Sequence, residues 1–466
     1  MFASAQAMAA AGHEVYLVSE AITAGRSRAL LSAGSATWVR VEDGRPDHAY
    51  FTDGQGYADR VYDTLRRLRR ARPLDLIEFP DRGGEGLTVL RARRLLGEFA
   101  GTRVVLRPAA GAAGPGAGGE PGAGGEPGAG GGPGADGEPG ADDGLGAGGG
   151  LGAGGGPPAS LLTMITAAAE RYCRAHAGDA VTAPAAPGPS LVQPAGGPLV
   201  SVLIPVFNQG RYLADALASV RRSAYPRLEI VVVDDGSTDP ETVTAVDALT
   251  GVPGVTTLRQ RNAGLPAARN AGLARCTGRY VVPLDADDLL PPAFIGTAVA
   301  AMARQPRLRY LTGYVRCFGL LDHVQVPVGP VPGLSLLLNT YARATGLFCR
   351  DALLDVGGWD ADLPGYEDWD LYLRLDAAGH GSDVLPVDGH LYRRHPDSMT
   401  LRAGAGVRLE WLQRLIGKHA GALTGDQLVP LLQAVVQLWK TGYEPSASAR
   451  LLAGLPRGQL PQAGEA

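Results

Sequence analysis

The run Tyr280-Val281-Val282-Pro283-Leu284-Asp285-Ala286-Asp287-Asp288 passes from mostly apolar residues into a cluster of carboxylates. Acids that close repel one another, so a fold gathers them where a divalent cation or a bound ligand offsets the cost. A metal site is the leading reading, and a solvated acidic turn is the alternative. Two other strand-like runs also end in polar, turn-forming residues. Leu199–Ile204 leads into Pro205-Val206-Phe207-Asn208, and Leu228–Val233 leads into Asp234-Asp235-Gly236-Ser237-Thr238. In a parallel sheet such ends meet at one crevice, where doubly wound α/β folds collect their ligands.

The elements between these ends follow an α/β rhythm. Gln209–Arg222 reads as a helix with Leu213, Ala216, Leu217 and Val220 on one face, Val255–Leu258 as a strand, and Pro266–Arg275 as a helix. Asn262-Ala263-Gly264 and Ala268-Arg269-Asn270-Ala271-Gly272 lie between the second and third strand ends. Farther on, Val356-Gly357-Gly358-Trp359-Asp360 precedes Tyr366-Glu367-Asp368-Trp369-Asp370-Leu371-Tyr372-Leu373. Asp368 stands at a helix start, where an acid caps and complements the dipole, while Trp369, Tyr372 and Leu373 share a core-facing stripe. His390-Leu391-Tyr392-Arg393-Arg394-His395 concentrates basic groups in what reads as a loop.

The order and spacing of these motifs over residues 199–400 resemble family-2 glycosyltransferases of the GT-A fold. That resemblance implies roles residue by residue. Pro205 and Phe207 would line a nucleotide base pocket, and Asp235 would accept the imide hydrogen of uracil or thymine. Arg269 would neutralise phosphate or brace the site, and Asp285 would meet the ribose or the metal shell. Asp287 would bind Mn²⁺ or Mg²⁺, with His395, or second to it His390, near the metal or diphosphate. Asp368 would be the general base on the acceptor hydroxyl, assisted by Glu367, giving direct displacement with inversion. The chemistry agrees: a nucleoside-diphosphate leaving group carries dense charge that a carboxylate-held hard cation stabilises. The Gln-x-x-Arg-Trp signature of processive synthases is missing, so a distributive enzyme is expected.

Residues 1–110 alternate helical and strand-like patterns: a helix at Ala5–Ala11, a strand at Glu14–Ser19, a basic helix at Tyr57–Arg72, and strands at Leu74–Phe79 and Arg103–Leu106. Ala10-Ala11-Gly12-His13-Glu14-Val15, Ile77-Glu78-Phe79-Pro80-Asp81, Arg103-Val104-Val105-Leu106-Arg107 and Glu170-Arg171-Tyr172-Cys173-Arg174 look like the N-terminal Rossmann-like half of GT-B glycosyltransferases, similar to family 4. Two parts of that half are missing: a first strand with its Gly-rich turn, and the second, donor-binding half. A docking or acceptor-binding role is therefore expected, with a vestigial scaffold as the alternative. Residues 111–158 are a Gly/Pro/Ala-rich spacer with glycine at every third position from Gly116 to Gly140, too irregular for collagen. Residues 159–187, a helix at Leu161–His176 and a strand at Asp179–Pro184, are expected to complete the N-terminal domain. A linker at 188–198 follows. Beyond the catalytic segment, 401–466 reads as helical, with one stripe at Leu409, Leu412 and Ile416 and another from Leu428 to Trp439.

The formal net charge of -4, from 43 basic and 47 acidic residues, leaves no footprint of a nucleic-acid binder. The 4 cysteines form no Cys-x-x-Cys pair, so no disulfide framework or structural zinc is indicated. No apolar run approaches the ~18 residues that span a bilayer, and no signal pattern opens the chain. The expectation is a cytoplasmic protein, with peripheral contact at the inner membrane face left open. The expected activity is transfer from a nucleoside-diphosphate sugar to a hydroxyl on a glycan, lipid-linked sugar or small molecule, in glycan or cell-surface polysaccharide synthesis. Two alternatives stay open: a non-catalytic nucleotide-sugar-binding scaffold, and a sugar-phosphate nucleotidyltransferase. The second would want a Gly-rich basic loop where Phe207-Asn208-Gln209-Gly210-Arg211 stands.

Overall fold

The computed structural model describes residues 2–19, 36–42, 47–50, 53–80, 84–107, 159–177, 197–320, 322–337, 339–395, 398–399, 403, 405–419 and 421. The expected spacer, the strand at 179–184, the linker and the 428–439 stripe lie outside these residues. The first part of the chain supplies α1 (Phe2–Ala10), β1 (Tyr16–Ser19), β2 (Thr37–Arg40), β3 (His48–Ala49), α2 (Asp53–Ala71), β4 (Leu76–Pro80), α3 (Leu87–Arg91, continued as a π-helical turn to Leu96), β5 (Arg103–Arg107) and α4 (Ala159–His176). The alternating core then runs β6 (Val200–Val206), α5 (Gly210–Arg221), β7 (Leu228–Asp234), α6 (Pro240–Asp247), β8 (Val255–Arg259), α7 (Leu265–Leu273) and β9 (Tyr280–Pro283). After it come α8 (Phe294–Arg304), β10 (Leu308–Gly319), β11 (His323–Gln325), α9 (Leu334–Leu337), β12 (Leu347–Cys349), α10 (Arg350–Asp355), α11 (Glu367–Ala377), β13 (Gly381–Arg394) and α12 (Ala405–His419).

The central sheet is mixed, in the order β3-β11-β10-β12-β9-β6-β7-β8, with β13 also paired to β10. Every residue of β6 is buried, as expected of a parallel strand covered on both faces. Its ladder with β9 closes at Leu203↔Pro283, whereas the ladder with β7 continues to Val206↔Asp234. Pro205 therefore lies beyond the last β9 pair, where a missing N–H costs little. On α7, a side chain at Gly272 would overlap Leu203 of β6 and crowd Val233 of β7, so this helix packs on the sheet at a distance only glycine permits.

The segment expected as a loop around His390 is instead the end of a 14-residue strand. Pro386 and Gly389 hid it, because both read as turn residues. In the structure they sit where the β10–β13 register shifts, at the step from Thr312↔Val384 to Tyr314↔Asp388 and the next to Val315↔His390. A bulge tolerates the missing donor and bends the strand. In α11, Trp369 and Tyr372 are fully buried as expected, and Leu371 and Leu375 are buried with them, whereas Leu373 is only partly buried.

The N-terminal elements have a core of their own, including Val61, Leu65, Phe79, Leu90, Phe99 and Val104. The helix after the spacer adds Cys173 and Ala169 to it. Among the described residues the strands here form two separate two-stranded parallel sheets, β1-β2 and β4-β5, while β3 joins the edge of the central sheet beside β11. The two parts are bolted together at Asp383 of β13, which accepts from Arg91 Nε (3.0 Å), Arg94 Nη1 (2.9 Å) and Tyr172 Oη (2.7 Å).

At the other end, α12 docks Leu412 and Leu415 into the main core and lays Trp411 against Gly365. Its last residues reach Asp370 of α11: Lys418 Nζ at 2.9 Å and His419 Nε2 at 2.8 Å, beside Arg374 Nε at 2.7 Å. Burial alone would raise this carboxyl, but His419, Lys418 and Arg374 outweigh it and hold Asp370 down at about 2. A depressed folded pKa means stability present above the ordinary aspartate range and lost as pH falls toward 2. Asp370→Asn should cost up to about 3 kcal/mol in urea unfolding at pH 7, the low end for a broken buried pair because Lys418 keeps contact with water. The loss should vanish when both proteins are unfolded near pH 2.

Candidate active site

The carboxyl ends of β6, β7 and β9 lie side by side at one sheet edge, and hydrogen bonds stitch the loops beyond them together. Asn208 stands at a positive φ of 52°, which aims its side chain at the next loop, where Oδ1 accepts from the backbone N–H groups of Thr238 and Asp239 (2.9 and 3.0 Å). Gln209 Nε2 donates to Asp287 Oδ2 at 3.2 Å. The three strand ends expected to converge thus share one edge.

Asp234 and Asp235 divide their work. Asp234 is structural, accepting from Ser237 N and from Arg259 Nε at 2.7 Å. Asp235, 3% exposed, accepts at Oδ1 from Gln260 Nε2 (2.8 Å) and Ala263 N (2.9 Å), and at Oδ2 from Gly264 N (2.9 Å). The Asn262-Ala263-Gly264 motif is thereby explained, since its backbone is folded onto this carboxylate. A carboxylate offers roughly four acceptor positions, so Oδ2 retains one for a further donor. Phe207, just past β6, stands 45% exposed at this edge, unusually bare for a large apolar ring, whereas Pro205 is buried within the strand.

The acidic cluster is held from two sides. Asp288 is buried, with Oδ2 against His390 Nε2 (2.7 Å) and Oδ1 accepting from Arg393 N (2.8 Å). His390 is therefore spent on Asp288. His395 Nε2 lies 2.9 Å from Asp287 Oδ2, and its ring packs on Tyr212. Burial pushes Asp287 up to about 6, helped by the charges of Asp288 and Asp285. Burial also raises Asp288, against the pull of His390.

Arg269 joins this cluster to the start of α11. It is fully buried, with Nη2 on Asp285 Oδ1 and Nη1 on Glu367 Oε1, both at 2.6 Å, and its guanidinium faces the Trp359 ring. Burial lowers its pKa, but Asp285 and Glu367 outweigh burial and raise it. Of the two roles expected for Arg269, the geometry is that of a brace. The neighbouring Asn270 makes a two-way clamp on Trp359, donating to its carbonyl (2.6 Å) and accepting from its N–H (2.8 Å). Gly358, at φ +73°, lets the chain pass against Asn270. Arg269→Met should leave Glu367 buried without its partner and cost roughly 3–5 kcal/mol in chemical denaturation.

Tyr366 initiates α11 from the left-handed region at φ 61°, and Glu367 and Asp368 occupy its first turn. Asp368 Oδ1 accepts from the adjacent Trp369 N–H (2.7 Å) rather than capping the helix from its N-cap position. Burial raises Asp368, opposed by Arg269 and Arg343 and helped by Asp285. Burial likewise pushes Glu367 up to about 7, against Arg269 and with Asp368. Sequence reasoning missed three contributors here: Gln209, Arg343 and Asp288 as the partner of His390. None carries a local signal, because each acts through a contact distant in the chain.

Among the described residues no three His, Cys, Asp or Glu side chains form a ready cation cage. The donor set nonetheless fits a hard cation brought with phosphate. Asp287 and the part-open Asp285 offer carboxylate oxygens, and burial, with the nearby charges of Asp288 and Asp285, disfavours an ionised Asp287 that a cation would stabilise. A hard dication takes about six oxygen ligands, leaving the remainder to phosphate and water.

Residues 201–326 match the family model "Glycosyl transferase family 2". Among curated relatives, Glycosyltransferase GlyA of Streptococcus pneumoniae serotype 4 is 38% identical over 98 residues, 21% of this chain and 14% of that protein. The glycosyltransferase YibD of Escherichia coli K12 is 38% identical over 98 residues, 21% of this chain and 28% of that one. YwdF of Bacillus subtilis, also a glycosyltransferase by name, is 26% identical over 257 residues, 50% of this chain and 89% of YwdF. The chain spans a third or less of the length of the first curated relatives it matches. Among solved structures, the mannosyltransferase PcManGT of Pyrobaculum calidifontis, in complex with GDP-Man and Mn²⁺, aligns at TM-score 0.41 and 20% identity, covering 63% of this chain and 84% of that one. Among the described residues no helix is long and apolar enough to cross a membrane.

Proposed function

We propose that residues 199–400 form an inverting, metal-dependent, non-processive glycosyltransferase that moves a sugar from a nucleoside-diphosphate donor to a hydroxyl acceptor. The observation that carries this reading is the Arg269 brace, which ties Asp285, next to the acidic cluster, to Glu367, next to Asp368. In this reading the brace holds the cation-binding acids and the base to one site.

In this reading Phe207 packs on the nucleotide base and the remaining acceptor position of Asp235 takes an imide N–H. Asp287, with Asp285 and His395 beside it, would hold Mn²⁺ or Mg²⁺, whose chemistry is to neutralise the diphosphate as it departs. Asp368 takes the acceptor proton as the acceptor oxygen bonds to the anomeric carbon. The glycosidic electron pair leaves with the diphosphate, so configuration inverts. Burial that raises Asp368 brings its basicity closer to the working pH, which favours a general base.

Relatives named Chondroitin synthase and Poly-beta-1,6-N-acetyl-D-glucosamine synthase support glycan or polysaccharide synthesis as the setting. The N-terminal elements, locked to β13 through Asp383, are read as an acceptor-side or docking accessory, akin to a GT-B half. The test is a screen of UDP-, dTDP- and GDP-sugars with Mn²⁺, following release of nucleoside diphosphate. Turnover of a pyrimidine donor that stops with EDTA is expected, and turnover indifferent to EDTA contradicts the reading.

A further inference from the structure

Among the described residues several enclosed arginines have a carboxylate: Arg269 has Asp285 and Glu367, Arg91 has Asp383, and Arg374 has Asp370. Arg343 and Arg394 do not. Arg343, in the loop between α9 and β12, places its guanidinium 4.6 Å from the centre of the Tyr392 ring. Arg394, at the end of β13, lies 5.6 Å from the centre of the same ring. The Nε of each is enclosed without a hydrogen-bond partner, and among the described residues neither arginine forms an ion pair. Arg394 is 9% exposed, and Arg343 is partly open to solvent.

Arg343 sits beside the base, and the charges of the two act on each other. Tyr372, one turn after Asp368 on α11, donates its hydroxyl to the Arg343 carbonyl at 2.7 Å. The acids whose charge reaches Arg343, Asp368 and Asp288, form no ion pair with it. Asp288 is held by His390 and Arg393 N, and among the described residues Asp322, which acts on His323 and Cys317, forms no ion pair with either arginine. Two guanidiniums with an enclosed, unpartnered Nε and no ion-paired carboxylate are costly to hold, and a bound anion offsets that cost. Their planar forks suit phosphate oxygens, and two positive charges match a phosphate ester better than a single carboxylate.

We propose that Arg343 and Arg394 form a subsite for a phosphate ester carried by the acceptor, next to Asp368. The proposal rests on the transferase reading and narrows its acceptor class to phosphorylated hydroxyl compounds. The competing source of the same chemistry is the donor's own diphosphate.

Calorimetric titration of glycerol 1-phosphate, and separately of UDP with Mn²⁺, into wild type, Arg343→Gln and Arg394→Gln distinguishes these. Saturable glycerol 1-phosphate binding by wild type, weakened roughly tenfold or more in each variant with UDP binding unchanged, is expected. No wild-type binding, or equal binding by the variants, overturns the subsite, and so does a parallel loss of UDP affinity, which would assign the arginines to the donor. Wild type that takes glycerol 1-phosphate through these arginines but no nucleotide supports the subsite while overturning the donor reading. If a glutamine variant fails to fold, Arg343→Lys and Arg394→Lys carry the test. They keep the charge but lose the fork, so several-fold weaker binding is expected and wild-type affinity counts against the proposal.

Discussion

Asp287→Asn is expected to lower turnover of the nucleotide-sugar donor by roughly 10²–10³-fold, because the variant loses the charged oxygen that would hold the cation against the departing diphosphate. The same change should not cost stability. Asp287 has a folded pKa raised to about 6, so the folded state binds a proton more tightly than the unfolded chain, and stability falls as pH rises through that value. Above pH 7 without cation, wild type carries an ionised carboxylate that the fold disfavours, while asparagine keeps an acceptor for Gln209 and His395. Thermal melts in EDTA at pH 8 should therefore show the variant at least as stable as wild type. A variant that is both inactive and much less stable would assign Asp287 to structure instead.

Asp368→Asn should lower kcat by roughly 10²–10⁴-fold, the range for losing a positioned general base. Asparagine preserves the acceptor for the Trp369 N–H, so α11 should start as before. Binding of the nucleoside diphosphate, measured by calorimetry, should be unchanged, because the base acts on the acceptor side. An equal loss of nucleotide affinity would place Asp368 with the donor.

Much of residues 199–400 was legible because its signals are local. Strand runs such as Leu199–Ile204 and Leu228–Val233 are unbroken and apolar, and each ends in residues that stop a strand. Asp235 and Asp287 could be singled out for the same reason. What could not be read depends on partners far apart in the chain. Arg269 looks equally suited to phosphate contact or bracing until Glu367, 98 positions away, is seen on its other side. The strand through His390 was masked by Pro386 and Gly389, which signal turns unless a bulge absorbs them. The N-terminal rhythm predicted helices and strands correctly in kind, as with α2 and β4. Rhythm alone does not fix which strands pair, and β3 pairs with the central sheet through a two-residue ladder.

The claim beneath all of this is that Asp287 holds a cation together with the donor's diphosphate. Electron paramagnetic resonance of free Mn²⁺ tests it directly, in titrations of wild type and Asp287→Asn with and without UDP. The account predicts that Mn²⁺ leaves the free pool in wild type when the nucleotide is present, and far less in the variant under the same conditions. Equal Mn²⁺ uptake by the two proteins in the presence of UDP would contradict it.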